Sequence, residues 1–125
     1  MNTRDFSDAL TDLERNLTLV MEFTDSKALA DFESDFRTQY AVIRALEICG
    51  EAVKRIPDDV RKLEPDIPWK AMAGMRDRLI HGYDNVNTSL VWTTVTKTVP
   101  SVRASLQALK SRIRPGPNPP ETASP

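Results

Sequence analysis

Apolar residues recur at steps of four and three along nearly all of this chain, a period that belongs to helices packed on helices. Phe6, Leu10, Leu13, Leu17 and Val20 form one stripe, with Asn2 or Thr3 as its cap. Asp25 and Ser26 can cap a short helix carrying Leu29 and Phe32, and Ser34 opens a longer one. The longer stripe is Val42, Leu46, Cys49, Val53 and Ile56, and Pro57 stops it. Val60 and Leu63 predict one or two turns after an Asp58-Asp59 cap. Asp66 then caps a helix with Pro68 near its first turn, running through Trp69, Met72, Met75 and Leu79. Asn87 or Thr88 caps the last helix, whose seam is Val95, Val99, Val102, Leu106, Leu109 and Ile113. The β-branched residues from Val91 to Val99 favour a strand locally, but the sustained period overrides them. Pro100 predicts a kink there, because one backbone bond is lost. The seam needs a partner helix, in this chain or in a second copy. The expected fold is an all-α bundle of about four to five helices over residues 1–114. Residues 115–125, five of them proline, read as a disordered tail.

The bulk numbers narrow the function. At 125 residues the chain is one domain, and its net charge of -1 rules out a broad basic coat for nucleic acid. Any nucleic-acid contact is local, and DNA is not an expected partner. The single Cys49 excludes an internal disulfide and fits a reducing compartment, as a buried inert thiol. Neither a signal peptide nor a membrane span is visible, so the expected location is cytoplasmic, with no membrane partner. Zinc-ligand spacing and glycine-rich phosphate loops are absent from the sequence, so no metal and no cofactor is expected.

One stretch reads as chemistry: Arg76-Asp77-Arg78-Leu79-Ile80-His81-Gly82-Tyr83, with the only histidine in the protein. An always-charged guanidinium and a group titrating near neutrality suit a phosphate substrate. Arg and His at such spacing occur by chance in roughly a third of chains this long; adding the Tyr cuts that to about one in a few hundred. On a helix Arg76, Leu79 and Tyr83 share a face, whereas His81 lies about 140° from Arg76. The pair therefore converges only if the helix unwinds near Gly82 or a second copy supplies the other half. Asp77 is four residues before His81 and can orient its imidazole. Arg78 is a further local cation, and Arg76 and Arg78 can also pair with Asp77 and Glu64.

Cleaving RNA without metal needs a base for the 2′-hydroxyl, positive charge on the phosphorane and an acid for the leaving oxygen. One histidine per chain gives one proton carrier and two chains sharing a cleft give two, so the chemistry and the seam on the last helix each favour a dimer. Tyr83 is a poor base, since a phenol titrates near 10. Plainer readings stand beside this one. A lone histidine at a helix end also serves to cap carbonyls. Arg44, Glu47, Glu51 and Arg55 form a polar face, of which Glu47 and Glu51 either pair with neighbours or line the cleft.

These residues resemble a known family. The stretch from Arg76 to Tyr83 is similar to the Arg-polar-x-x-x-His-x-Tyr signature of HepT-like toxins, within the HEPN superfamily. Arg44-Ala45-x-Glu47-x-x-Gly50-Glu51-Ala52 resembles that family's central helix, and Ile67-Pro68-Trp69 its approach to the motif. Pro100 is also familiar. The likeness spans about residues 5–112; Asp77 stands where Asn is common, and Cys49 departs from the Ile-Gly-Glu pattern. The resemblance implies an all-helical homodimer with both motifs in an interface cleft. It implies a metal-independent endoribonuclease with Arg76 and His81 catalytic and Asp77, Tyr83 and Arg78 supporting. It also implies a toxin neutralised by a minimal nucleotidyltransferase antitoxin, which attaches AMP to the tyrosine matching Tyr83. Two other classes fit the residues: an inactive module that binds nucleotide or a nucleotidyltransferase, and a plain structural dimer.

Overall fold

A computed structural model describes residues 3–81 and 87–113. Helix α1 spans Thr3–Phe23, α2 Leu29–Glu33, α3 Phe36–Lys54, α4 Asp58–Arg61 and α5 Trp69–His81. Helix α6 (Thr88–Thr93) passes through a π turn (Thr94–Thr98) into α7 (Val99–Ile113). Physically these are four rods, α1, α3, α5 and the α6–α7 unit, with two short helices between them. The all-α bundle expected from the period is present. Asn2 and the tail beyond Ile113 lie outside the described residues.

The stripes face inward as the spacing requires. Leu10, Leu13, Leu17 and Val20 of α1 are buried, as are Val42, Leu46, Cys49 and Val53 of α3. Central α3 packs on α1 and α5, and α7 packs on α1. Where α1, α3, α5 and the π turn meet, the remaining cavity is only about 20 Å³, so the core is nearly filled. The seam of the last helix finds its partner inside the chain: Val95, Val99, Val102, Leu106 and Leu109 are all buried. It is therefore not a surface waiting for a second copy. An ion pair flanks the α1–α7 contact, with Lys110 Nζ 2.6 Å from Glu14 Oε1, and Arg103 Nε donates to the Thr18 hydroxyl at 2.8 Å.

Element starts differ from the sequence expectation by a residue or two. Ser26 sits in the left-handed region, with φ 62°, so it cannot adopt the extended backbone an N-cap needs. Ala28 takes that place, and its N–H donates to Asp31 Oδ2 at 2.8 Å. Asp35 rather than Ser34 caps α3: its carboxylate accepts from the Thr38 N–H at 3.2 Å and the Thr38 hydroxyl at 2.7 Å. Pro68 rather than Asp66 precedes the first residue of α5, and its carbonyl accepts from the Met72 N–H at 3.0 Å. Asn87 caps α6 as expected, accepting from the Leu90 N–H at 3.0 Å. Val60 is buried, but Leu63 is 48% exposed and is not core.

Pro100 acts through a π turn. Its ring would collide with the carbonyl four residues back and has no N–H to give it. The turn just before it, Thr94–Thr98, widens to the five-residue spacing, so the Val99 N–H bonds to Thr94 O. Two further devices leave no mark in the period. The Arg61 guanidinium donates to Ile56 O at 2.9 Å and Val53 O at 2.7 Å, satisfying carbonyls at the end of α3. Trp69 is core at the start of α5, and its Nε1–H donates to Arg61 O and Glu64 O.

Candidate functional site

The site begins with a glycine. Gly50 on α3 faces Arg76 on α5 so closely that a Cβ there would collide with Arg76 Cβ. That atom would also lie 2.9 Å from Arg76 Cγ and 3.0 Å from the Met72 carbonyl oxygen. Only glycine lets the two helices come this close. The result is that the Arg76 stem lies along α3, and its side chain is only 28% exposed.

Its guanidinium is then held on both edges. Nη2 lies 3.0 Å from Glu51 Oε1, and Nη1 lies 3.2 Å from Asp77 Oδ1. Lys54 Nζ, one turn beyond Glu51 on α3, lies 3.0 Å from that same Asp77 oxygen. The hydrogen bond from Lys54, and then that from Arg76, holds the Asp77 carboxyl below its ordinary value of 3.8. Asp77 is thus charged at neutral pH, and its partners in the described structure are Lys54 and Arg76. The expectation that it orients His81 falls on a side chain outside the described set.

Arg76 also reaches into an open groove of about 660 Å³ between α1 and α3. Asp12, Arg15 and Asn16 line it from α1, and Arg44, Glu47 and Glu51 from α3. Arg55 Nη2 bridges to Asp12 Oδ2 at 2.7 Å, and Arg44 Nη1 lies 3.5 Å from Glu47 Oε1. Glu47 and Glu51 therefore do line a groove beside Arg76, and each also has a basic partner. Charge in the groove is close to balanced.

The other residues singled out in the sequence divide as follows. Arg78 is on the exposed side of α5, outside the Glu51–Arg76–Asp77–Lys54 cluster. Glu64 pairs with Arg112 of α7, not with the arginines of the motif. His81 is the last residue of α5, but its side chain lies outside the described residues, as do Gly82 and Tyr83. Cys49 is buried, and burial pushes its thiol up to about 12, which leaves it unreactive. Among the described residues no three His, Cys, Asp or Glu side chains gather to hold a metal ion, and no helix is long and apolar enough to cross a membrane. Sequence reasoning missed Lys54 entirely. The available signal was its place three residues after Glu51 and four after Gly50, on the side of α3 that meets α5.

The model of a family described as "Ribonuclease HepT-like" matches residues 13–109. A protein of Thermococcus cleftensis named "Probable ribonuclease HepT" is 46% identical over 107 residues, covering 86% of this chain and 97% of its own. Two Methanocaldococcus jannaschii proteins, whose names mark them as candidate RNases, are also similar. One is 41% identical over 101 residues, covering 81% of this chain and 84% of its own. The other is 38% identical over 109 residues, covering 87% and 90%. No solved structure shows significant similarity.

Proposed function

The chain belongs to the HepT-like ribonuclease family, and from that membership we propose that it is a metal-independent endoribonuclease toxin of a toxin–antitoxin pair. It works as a homodimer, with Arg76 and His81 of both copies in one cleft, and a minimal nucleotidyltransferase restrains it. The observation that carries this reading is the placement of Arg76. The guanidinium is fixed on two edges at an open groove, on the same helix that ends at His81.

The chemistry follows from the groups. His81 is the proton carrier that takes the 2′-hydroxyl proton, and its counterpart in the second copy returns one to the leaving 5′-oxygen. Arg76 supplies fixed positive charge where the phosphorane develops. A guanidinium already locked in place needs no reorganisation as that charge appears. Glu51 does the locking, and Asp77 holds the other edge while RNA is absent, which gives Asp77 its supporting role. Tyr83 is the control point: AMP joined to its oxygen would bring phosphate charge to Arg76 and fill the cleft.

His81→Ala and Arg76→Ala are each expected to lower RNA cleavage in EDTA by about 10²–10⁴-fold, with helical circular dichroism unchanged. Activity that disappears with EDTA, or survives in His81→Ala, contradicts the reading. Wild-type protein that binds RNA without cutting it points instead to an inactive binding module. Co-expression with the neighbouring nucleotidyltransferase should add an AMP-sized mass to wild type and none to Tyr83→Phe.

A further inference from the structure

Lys54 belongs to no motif, yet its ammonium and the Arg76 guanidinium meet on a single atom. Asp77 Oδ1 lies 3.0 Å from Lys54 Nζ and 3.2 Å from Arg76 Nη1. One anionic oxygen shared by an ammonium and a guanidinium is the arrangement in which these two cations hold a phosphate oxygen. Resting on the ribonuclease reading above, we propose that Lys54 is a second phosphate-binding residue of the cleavage site. In the free protein the Asp77 carboxylate occupies the position that an RNA phosphate takes between Lys54 and Arg76.

The surroundings suit an exchange. The side chains of Lys54 and Asp77 are 39% and 51% exposed, so a polymer reaches them and the pair between them is weakly held. Arg76 is more buried, and its other nitrogen stays bound to Glu51 Oε1. When Asp77 turns away, the ion pair with Glu51 remains at Nη2, and the Arg76 stem stays packed against Gly50. The edge freed at Nη1 then faces the incoming phosphate with Lys54 beside it. Glu51 is in this arrangement a positioning residue, Asp77 a stand-in for the ligand, and Lys54 a direct contact. The plainer alternative is that Lys54 and Asp77 only tie α3 to α5.

Binding of a labelled single-stranded RNA by the full-length His81→Ala protein separates the two, because nothing is cut while affinity is read. Lys54→Gln is expected to weaken binding about tenfold, and Lys54→Arg to retain it. The slope of log affinity against log salt should shrink by about 0.7 for each phosphate no longer neutralised. Asp77→Asn should bind more tightly, since the competing charge is gone. The deciding variant is Lys54→Gln in the Asp77→Asn background. A direct contact keeps its tenfold loss there; a residue acting only through Asp77 shows none, and that outcome overturns the proposal. Unchanged affinity and salt slope in Lys54→Gln overturn it as well, with the ribonuclease reading intact. Failure of the His81→Ala protein to bind RNA at all removes both.

Discussion

Gly50 decides the position of Arg76 by what it lacks. A methyl there has no space, because the Arg76 stem and the Met72 carbonyl already occupy it. Both neighbours are parts of α5 close to its axis, so neither can swing aside. Gly50→Ala must push α3 and α5 apart, at about 1–3 kcal/mol of stability. It also moves the guanidinium relative to the groove, and a misplacement of about 1 Å can cost on the order of 10²-fold in rate. Gly74 is the internal control. A Cβ there meets only the far end of the Arg78 side chain at 3.5 Å, an ordinary contact. Gly74→Ala should therefore stabilise the helix by about 0.4–1 kcal/mol. Denaturant midpoints for the two variants should move in opposite directions. A neutral Gly50→Ala would show that the close approach does not constrain α5. None of this is legible in the sequence, where Gly50 reads only as part of a family pattern. A steric requirement between residues 26 positions apart leaves no periodic trace.

At the scale of elements, the apolar period locates every rod, because burying a stripe drives helices together and the stripe is written directly in residue order. Caps are less legible. Several Asp and Ser residues stand near each helix start, and the choice among them rests on backbone angles such as the positive φ at Ser26. The π turn is legible only as a proline expected to disturb the helix. The period alone leaves open where the last seam finds its partner. The structure places it against α1, with Leu106 and Leu109 wholly buried. Leu106→Ala should accordingly cost about 2–5 kcal/mol, the usual range for truncating a core leucine. Because the partner is in the same chain, that loss should be the same at every protein concentration. Thermal midpoints measured across a hundredfold dilution check it. A destabilisation that grows with dilution would place the seam between copies instead.

At the scale of the molecule, one question is how a chain with net charge -1 and a near-balanced groove engages RNA. One copy sets 17 Lys and Arg against 18 Asp and Glu, and one histidine gives one proton carrier. Two copies give two carriers, which is the chemical argument for a dimer. With α7 committed to the core, a second copy would have to cover other surfaces. Phe36 and Tyr40, one turn apart on α3, are 73% and 72% exposed, although most large apolar side chains are buried. That patch is the candidate face for a second copy, and a shared Arg76–His81 cleft is the reason to expect one. The expected species in dilute solution is therefore twice 14.1 kDa. Sedimentation at micromolar concentration measures it. Phe36→Glu with Tyr40→Glu should shift that species to monomer while leaving helical circular dichroism intact, since neither side chain belongs to the core. RNA cleavage should fall with the dimer fraction rather than with folding. A wild-type monomer that still cuts RNA would overturn the shared cleft and leave each chain to supply both proton transfers alone. A charged double variant that stays dimeric would move the interface off α3 and onto the remaining exposed face of α5.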